Sequence, residues 1–290
     1  MRRPFSVLGL ALAMSFLQVV LAAGAEGAAP VITAAGDIAR EGTPSRQQRR
    51  TARLVRSIDP TAALTLGDNQ YPDGGLADFR TSYDPTWGRF KSITRPVPGN
   101  HEYLNGGADG YFNYFGWRAH RSNGGYYSFD IGAWHLVAVN SGTGGISSEQ
   151  LTWVRGDLRR DDARCELAYW HHPRWSSGAH GSDRAMAHLW RVLFRHGVDI
   201  VLNGHDHHYE RFAPLSPTGR VRRHRGIREF VVGTGGAGLY GVGHPVHGSQ
   251  RRIANLFGVL RLALRTDGYA WAFVGLNGNV RDRGGHRCHI

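Results

Sequence analysis

Five short apolar runs along this chain each end in polar residues, four of them with a glycine. Val31 to Ala35 runs into Gly36-Asp37, Ala62 to Leu66 into Gly67-Asp68-Asn69-Gln70-Tyr71, and Ile93 to Val97 into Gly99-Asn100-His101-Glu102. Glu166 to Trp170 runs into His171-His172-Pro173, and Asp199 to Leu202 into Gly204-His205-Asp206-His207. Short β-prone runs bounded by turn formers read as strands. Their polar ends therefore gather along one edge of a sheet, where open α/β sheets place ligands. Between the first two runs, Ala52, Leu54, Val55 and Ile58 give one apolar face to an Arg-rich stretch that starts at Ser45, which predicts a helix.

The rest of the chain alternates in the same way. Tyr71 to Phe90 contains Pro72 and Pro85 and reads as a loop or short helix, and Tyr103 to Gly125 as a glycine- and aromatic-rich loop able to wall a cleft. Gly125 to Asp130 and Ala133 to Asn140 form a hairpin turning near Ile131-Gly132. Ser147 to Arg159 and Arg184 to His196 carry apolar residues at helical spacing. Arg228 to Val232, Leu256 to Leu264 and Tyr269 to Val274 read as strands of a second sheet. The stretch Gly233-Thr234-Gly235-Gly236-Ala237-Gly238 lacks the helix and downstream acidic residue of a dinucleotide loop, so it reads as a turn.

Composition changes this picture in three places. The charge of +12 and pI near 10.4 raise the question of nucleic acid. Lys91 is the single lysine, however, and arginines are spread along the whole chain, with no aromatic-rich basic stripe or groove-reading helix. No specific nucleic-acid partner is expected. At the N-terminus, Arg2-Arg3, an apolar stretch from Phe5 to Leu21 and the small residues Ala23-Gly24-Ala25 predict an export signal over 1–25, a retained anchor being the alternative. The remaining 26–290 reads as one catalytic domain with no membrane span after cleavage. Export makes a Cys165–Cys288 disulfide the expected state of the two cysteines, tying the tail to the core, against two free thiols.

The five motifs in this order resemble those of calcineurin-type metallophosphoesterases, and most of all those of purple acid phosphatases, over roughly Val31 to Phe273. Two positions carry the finer resemblance. Ala39 stands where many members of the superfamily have a metal-binding His, and Tyr71 follows Asp68 at the interval of the tyrosine ligand of purple acid phosphatases. The resemblance implies a four-layer α-β-β-α sandwich of two mixed sheets. It also implies two metal ions, the first held by Asp37, Asp68, Tyr71 and His207, the second by Asp68, Asn100, His171 and His205, with Asp68 shared.

Hard oxygen donors including a phenolate favour ferric iron at the first position, and imidazole with amide suits divalent zinc, iron or manganese at the second. The implied activity is hydrolysis of small phosphate esters by a secreted or cell-envelope phosphomonoesterase whose bimetal centre activates water. His101, beside Asn100, is expected to contact phosphate or protonate the leaving alkoxide. His180, nine residues after His171, is expected to help bind phosphate and transfer protons. His172 is expected to point away from the site if its segment is still extended, as packing or as support for the ligands, His208 to play a supporting part, and Tyr209-Glu210-Arg211 to orient its loop. A phosphodiesterase or nucleotide hydrolase on the same scaffold, and a non-catalytic exported metal- or phosphate-binding protein, are the alternatives.

Overall fold

A computed structural model describes residues 28–289 together with Met1, so the expected export signal lies, apart from Met1, outside the described residues. The chain opens with β1 (Val31–Ala35), α1 (Arg46–Ile58), β2 (Ala62–Leu66), a short turn α2 (Leu76–Asp78), β3 (Thr94–Val97) and α3 (Asp109–Phe115). The hairpin β4 (Tyr127–Ile131) and β5 (Trp134–Ala138) follows, then α4 (Ser148–Arg160), β6 (Cys165–Tyr169), α5 (Ala187–His196) and β7 (Ile200–Asn203). Last come β8 (Tyr209–Phe212), β9 (Arg228–Val232), β10 (Ser249–Ile253), β11 (Gly258–Arg265), β12 (Gly268–Gly275) and β13 (Val280–Arg287).

Two mixed sheets result, one ordered β13-β12-β11-β1-β2-β3 and the other β10-β8-β9-β7-β6-β5-β4. The five motif strands are therefore divided between two sheets rather than aligned in one. β1, β2 and β3 run parallel in the first, β6 and β7 parallel in the second. The grouping expected for the last strands also changes. β9 lies beside β7, whereas β11 pairs antiparallel with β1 and carries β12 and β13 outward. Apolar pattern marks a strand but not its neighbour, because pairing is a long-range choice.

Strict alternation explains how the layers stack. Leu136, Leu167, Leu202 and Phe230 face the core shared by both sheets, while their neighbours Val137, Ala168, Val201 and Val231 face a second core under α4 and α5. α1 covers the first sheet with Ala52 and Val55, so the architecture is the expected α-β-β-α sandwich. Ser45 caps α1 in a capping box with Gln48. Asp183 caps a tight turn over Arg184–Met186, which delays the α5 helix to Ala187. Among the described residues no helix is long and apolar enough to cross a membrane.

Cys165 and Cys288 are bonded, S–S 1.99 Å, with both residues buried. The tail is fixed further by the His289 backbone N–H, which donates to Asp199 Oδ1 at 2.7 Å. At this end of the second sheet, where β5 and β6 begin, His135 is wedged between carboxylates. Its Nδ1 lies 2.7 Å from Asp130 Oδ1 and its Nε2 2.9 Å from Asp157 Oδ2, with Asp161 at 3.6 Å. Burial alone lowers the pKa of this imidazole, but hydrogen bonds to Asp157 and Asp130 and the charge of Asp161 raise it to about 9. Burial and the nearby Asp161 and Asp199 push Glu166 up to about 8.

Both groups hold protons in the folded state that the unfolded chain releases at lower pH. The His135 contribution is complete below its ordinary value of 6.5 and is lost as pH rises through about 9. Thermal unfolding followed across this window should show Tm falling by several degrees toward alkaline pH, and His135→Gln should flatten that slope. A Tm that stays level from pH 6.5 to 9 in the wild-type protein would contradict this account.

Candidate metal centre

Each motif begins where its strand ends, and three of its polar residues sit in the left-handed region: Asp37 at φ 60°, Asp68 at φ 46° and His205 at φ 72°. Asp and His tolerate this region better than most side chains, yet such residues cluster where the surroundings hold them in place. Here the first two loops continue their strand pairing past the strands. Asp37, Ile38 and Ala39 donate their backbone N–H groups to the carbonyls of Gly67, Asp68 and Asn69, and Tyr71 donates its own to Ala39 at 2.8 Å. Gly67 has φ 84°, and a Cβ there would lie 2.5 Å from His171 Nδ1. A glycine is what allows the two sheets to bring these loops together.

Around Tyr71 the first set of predicted residues converges. Its hydroxyl lies 2.8 Å from Asp37 Oδ1, 2.9 Å from Asp68 Oδ2 and 2.9 Å from His207 Nε2. Ala39 is fully buried and offers no side-chain donor, so the phenol takes the place that a side chain at 39 leaves open. The second set converges on His171. Its Nε2 lies 3.1 Å from Asn100 Oδ1, 3.2 Å from His205 Nδ1 and 3.4 Å from Asp68 Oδ2. Asp68 borders both sets through one oxygen.

The electrostatics show what these donors lack. Asp37 and Asp68 are 0% and 2% exposed, and among the described residues their ion-pair partners are histidines alone. Burial and the charges of Asp37 and Asp68 raise the Tyr71 phenol well above its ordinary value. The histidines diverge. Burial is outweighed by Asp68 and Asp37 at His171, which rises to about 9, whereas burial and the neighbouring imidazoles drop His205 to about 2. One phenol proton cannot serve two carboxylates and an imidazole at once. Buried carboxylates, an amide oxygen, a phenol and unprotonated imidazole form a donor set that fits cations, which reverse the local pKa logic.

His101 borders this centre. Its backbone N–H donates to Asp68 Oδ1 at 2.9 Å, its Nε2 lies 3.8 Å from Asp68 Oδ2, and its Nδ1 is held by the Pro72 carbonyl. His180 is exposed, and its ring lies 4.4 Å from that of His205. His172 departs from the expectation that it points away. The strand stops at Tyr169, so alternation no longer applies, and the buried ring packs 4.5 Å from His205 and bonds Ser141 Oγ at 3.0 Å.

Supporting residues were only partly visible in the sequence. Glu102 accepts the backbone N–H groups of Gly99 and Gln70 at 2.7 and 3.0 Å and so locks two motif loops together. Asp206 accepts the N–H groups of His180 and Gly181 and the Ser176 hydroxyl, holding the His180 loop. Glu210 anchors the same loop through Ser177 and also meets His208, while Arg211 pairs with Asp282 on β13 at 2.6 Å. These contacts match the orienting part expected of Tyr209-Glu210-Arg211. Tyr240 stacks on His207 at 3.9 Å. Sequence reasoning missed it, since it follows a glycine turn with no motif of its own.

Comparison with known proteins agrees with this geometry. Residues 30–209, more than half of the chain, match the calcineurin-like phosphoesterase family. Purple acid phosphatase 21 of Arabidopsis thaliana is 30% identical over 192 residues, which are 57% of this chain and 42% of that protein. Purple acid phosphatase 15 of the same plant is 33% identical over 220 residues, 61% of this chain and 40% of the relative. The chain thus spans about two fifths of the length of these relatives. A purple acid phosphatase from yellow lupin (Lupinus luteus) seeds shares the fold, with a TM-score of 0.72 at 19% identity over 91% of this chain and 55% of that one. The motif loops, the two-sheet sandwich and the match over 30–209 together make this chain a member of the calcineurin-like phosphoesterase family.

Proposed function

We propose that this protein is an exported, metal-dependent phosphomonoesterase of the purple acid phosphatase type, acting on small phosphate esters. The observation that carries the reading is the Tyr71 hydroxyl, set among Asp37, Asp68 and His207 beside an Ala39 that offers no side-chain donor. Asp37, Asp68, Tyr71 and His207 would hold ferric iron, and Asp68, Asn100, His171 and His205 a divalent zinc, iron or manganese. Two cations held there would supply Lewis acidity toward a phosphoryl oxygen and toward water.

The chain's own residues supply orientation and protons. With Nδ1 held by the Pro72 carbonyl, His101 presents Nε2, the atom that gives a proton to the leaving oxygen. Asp206 and Glu210 fix the loop that sets His180 at the rim, where its ring would meet phosphate. Export is supported by the Cys165–Cys288 bond, a feature of oxidising compartments.

Metal analysis should show Asp68→Asn losing most of both ions and nearly all turnover. Full metal content with a normal rate in that variant would remove the assignment. His101→Ala should retain metal and lower kcat about 10²–10⁴-fold, with a smaller loss for esters whose leaving groups need no proton. An equal loss across leaving groups would make His101 a phosphate-binding residue instead.

The subfamily rests on Tyr71. Phenolate on ferric iron absorbs visible light, so the loaded protein should be coloured and Tyr71→Phe colourless. A colourless wild-type protein holding two zinc or manganese ions, with an alkaline optimum, would refute the purple acid phosphatase reading while leaving the family intact.

A further inference from the structure

Helix α1 reads Arg-Gln-Gln-Arg-Arg-Thr-Ala-Arg-Leu-Val-Arg-Ser-Ile, with no acidic residue in its first turn. At about 100° per residue, Arg46, Arg49, Arg53 and Arg56 fall within a sector of roughly 80°. All four are exposed, away from the buried face of Gln48, Thr51, Ala52 and Val55. Among the described residues the arginines in ion pairs are Arg121, Arg160, Arg211 and Arg287, none of them on this stripe. Like charges three and four residues apart repel on an exposed helix, so the stripe destabilises α1 unless an anion occupies it.

Beside the stripe a cavity of about 150 Å³ lies between α1 and the loop over Pro85 and Thr86, with Arg89 on its far wall. Two of its guanidinium groups are tethered to the backbone. Arg49 Nε donates to the Pro44 carbonyl at 3.1 Å and Arg89 Nε to the Pro85 carbonyl at 2.9 Å, which fixes each fork at its stem. Such tethered forks match phosphate oxygens.

We propose that Arg49, Arg53, Arg56 and Arg89 form an exosite for a linear chain of phosphate groups, one group entering the cavity and the next following the stripe. A bare phosphate chain is favoured over single-stranded nucleic acid because no aromatic ring lines the cavity for a base to stack on. The site rests on charge and shape and is independent of the function proposed for the metal centre.

The test is binding of tripolyphosphate and long-chain polyphosphate to the full chain by calorimetry. It is run on the wild-type protein and on Asp68→Asn, in which the candidate metal centre is disabled. Arg49→Gln/Arg53→Gln/Arg89→Gln should weaken long-chain binding at least about tenfold and flatten its salt dependence in both backgrounds. Turnover of a small aryl phosphate should stay unchanged and Tm should not fall. The control Arg281→Gln/Arg283→Gln, on exposed β13, removes charge elsewhere and should shift affinity less than about twofold. Unaltered affinity in the triple variant, an equal loss in the β13 control, or equally tight binding of heparin or single-stranded DNA would overturn the proposal.

Discussion

Two buried carboxylates govern the layout of this molecule. Asp37 and Asp68 sit at the ends of adjacent parallel strands, in left-handed backbone, with histidines as their only ion-pair partners among the described residues. Burying an uncompensated carboxylate is costly enough that a fold must either protonate it, pair it with a cationic side chain or bring in a cation. The phenol of Tyr71 and the amide of Asn100 carry no positive charge to pair, and with the three imidazoles they form a set suitable for ligation. The family to which the chain belongs is consistent with that solution.

Holding such a centre requires both sheets at once. Asp37, Asp68 and Asn100 follow strands of the first sheet, and His171, His205 and His207 follow strands of the second. Their meeting distance is set by the core between the sheets and by direct stitches. Gly36 donates its N–H to the Val232 carbonyl, Gly235 to the Gly36 carbonyl, and Arg211 on β8 pairs with Asp282 on β13. The glycine turn over 233–238 is part of this seam, since Ala237 also donates to the Asp37 carbonyl. Its role is close backbone approach, which explains glycine without any nucleotide.

The sequence was most legible where a local rule decides the outcome. The strands β1 and β2 and the cap at Ser45 agree with pattern and turn chemistry, and all seven candidate ligands meet in the two expected groups. It was least legible where the outcome depends on distant pairing. Strand β13 reads Val-Arg-Asp-Arg-Gly-Gly-His-Arg, with hardly any apolar signal, because it is an exposed edge held by backbone bonds to β12. β10 is a polar edge of the second sheet for similar reasons, whereas β8 is a short, mostly buried strand between β10 and β9. Tyr240 was invisible because stacking on His207 is a tertiary contact with no spacing to announce it.

The two ends of the second sheet solve the same electrostatic problem differently. Where β5 and β6 begin, Asp130, Asp157 and Asp161 gather around one imidazole, and a proton on His135 supplies the missing positive charge. Where β6 and β7 end, that remedy is only partial. His171 and His205 approach within 3.2 Å, so a proton favoured on one is refused by the other. Packing imidazoles against each other leaves the lone pair of His205 free of a proton even while Asp68 favours one on His171. The crowding of His171, His205 and His207 around two carboxylates thus gathers negative charge and lone pairs at one point, a donor set that suits cations, and the close approach of two sheets makes it.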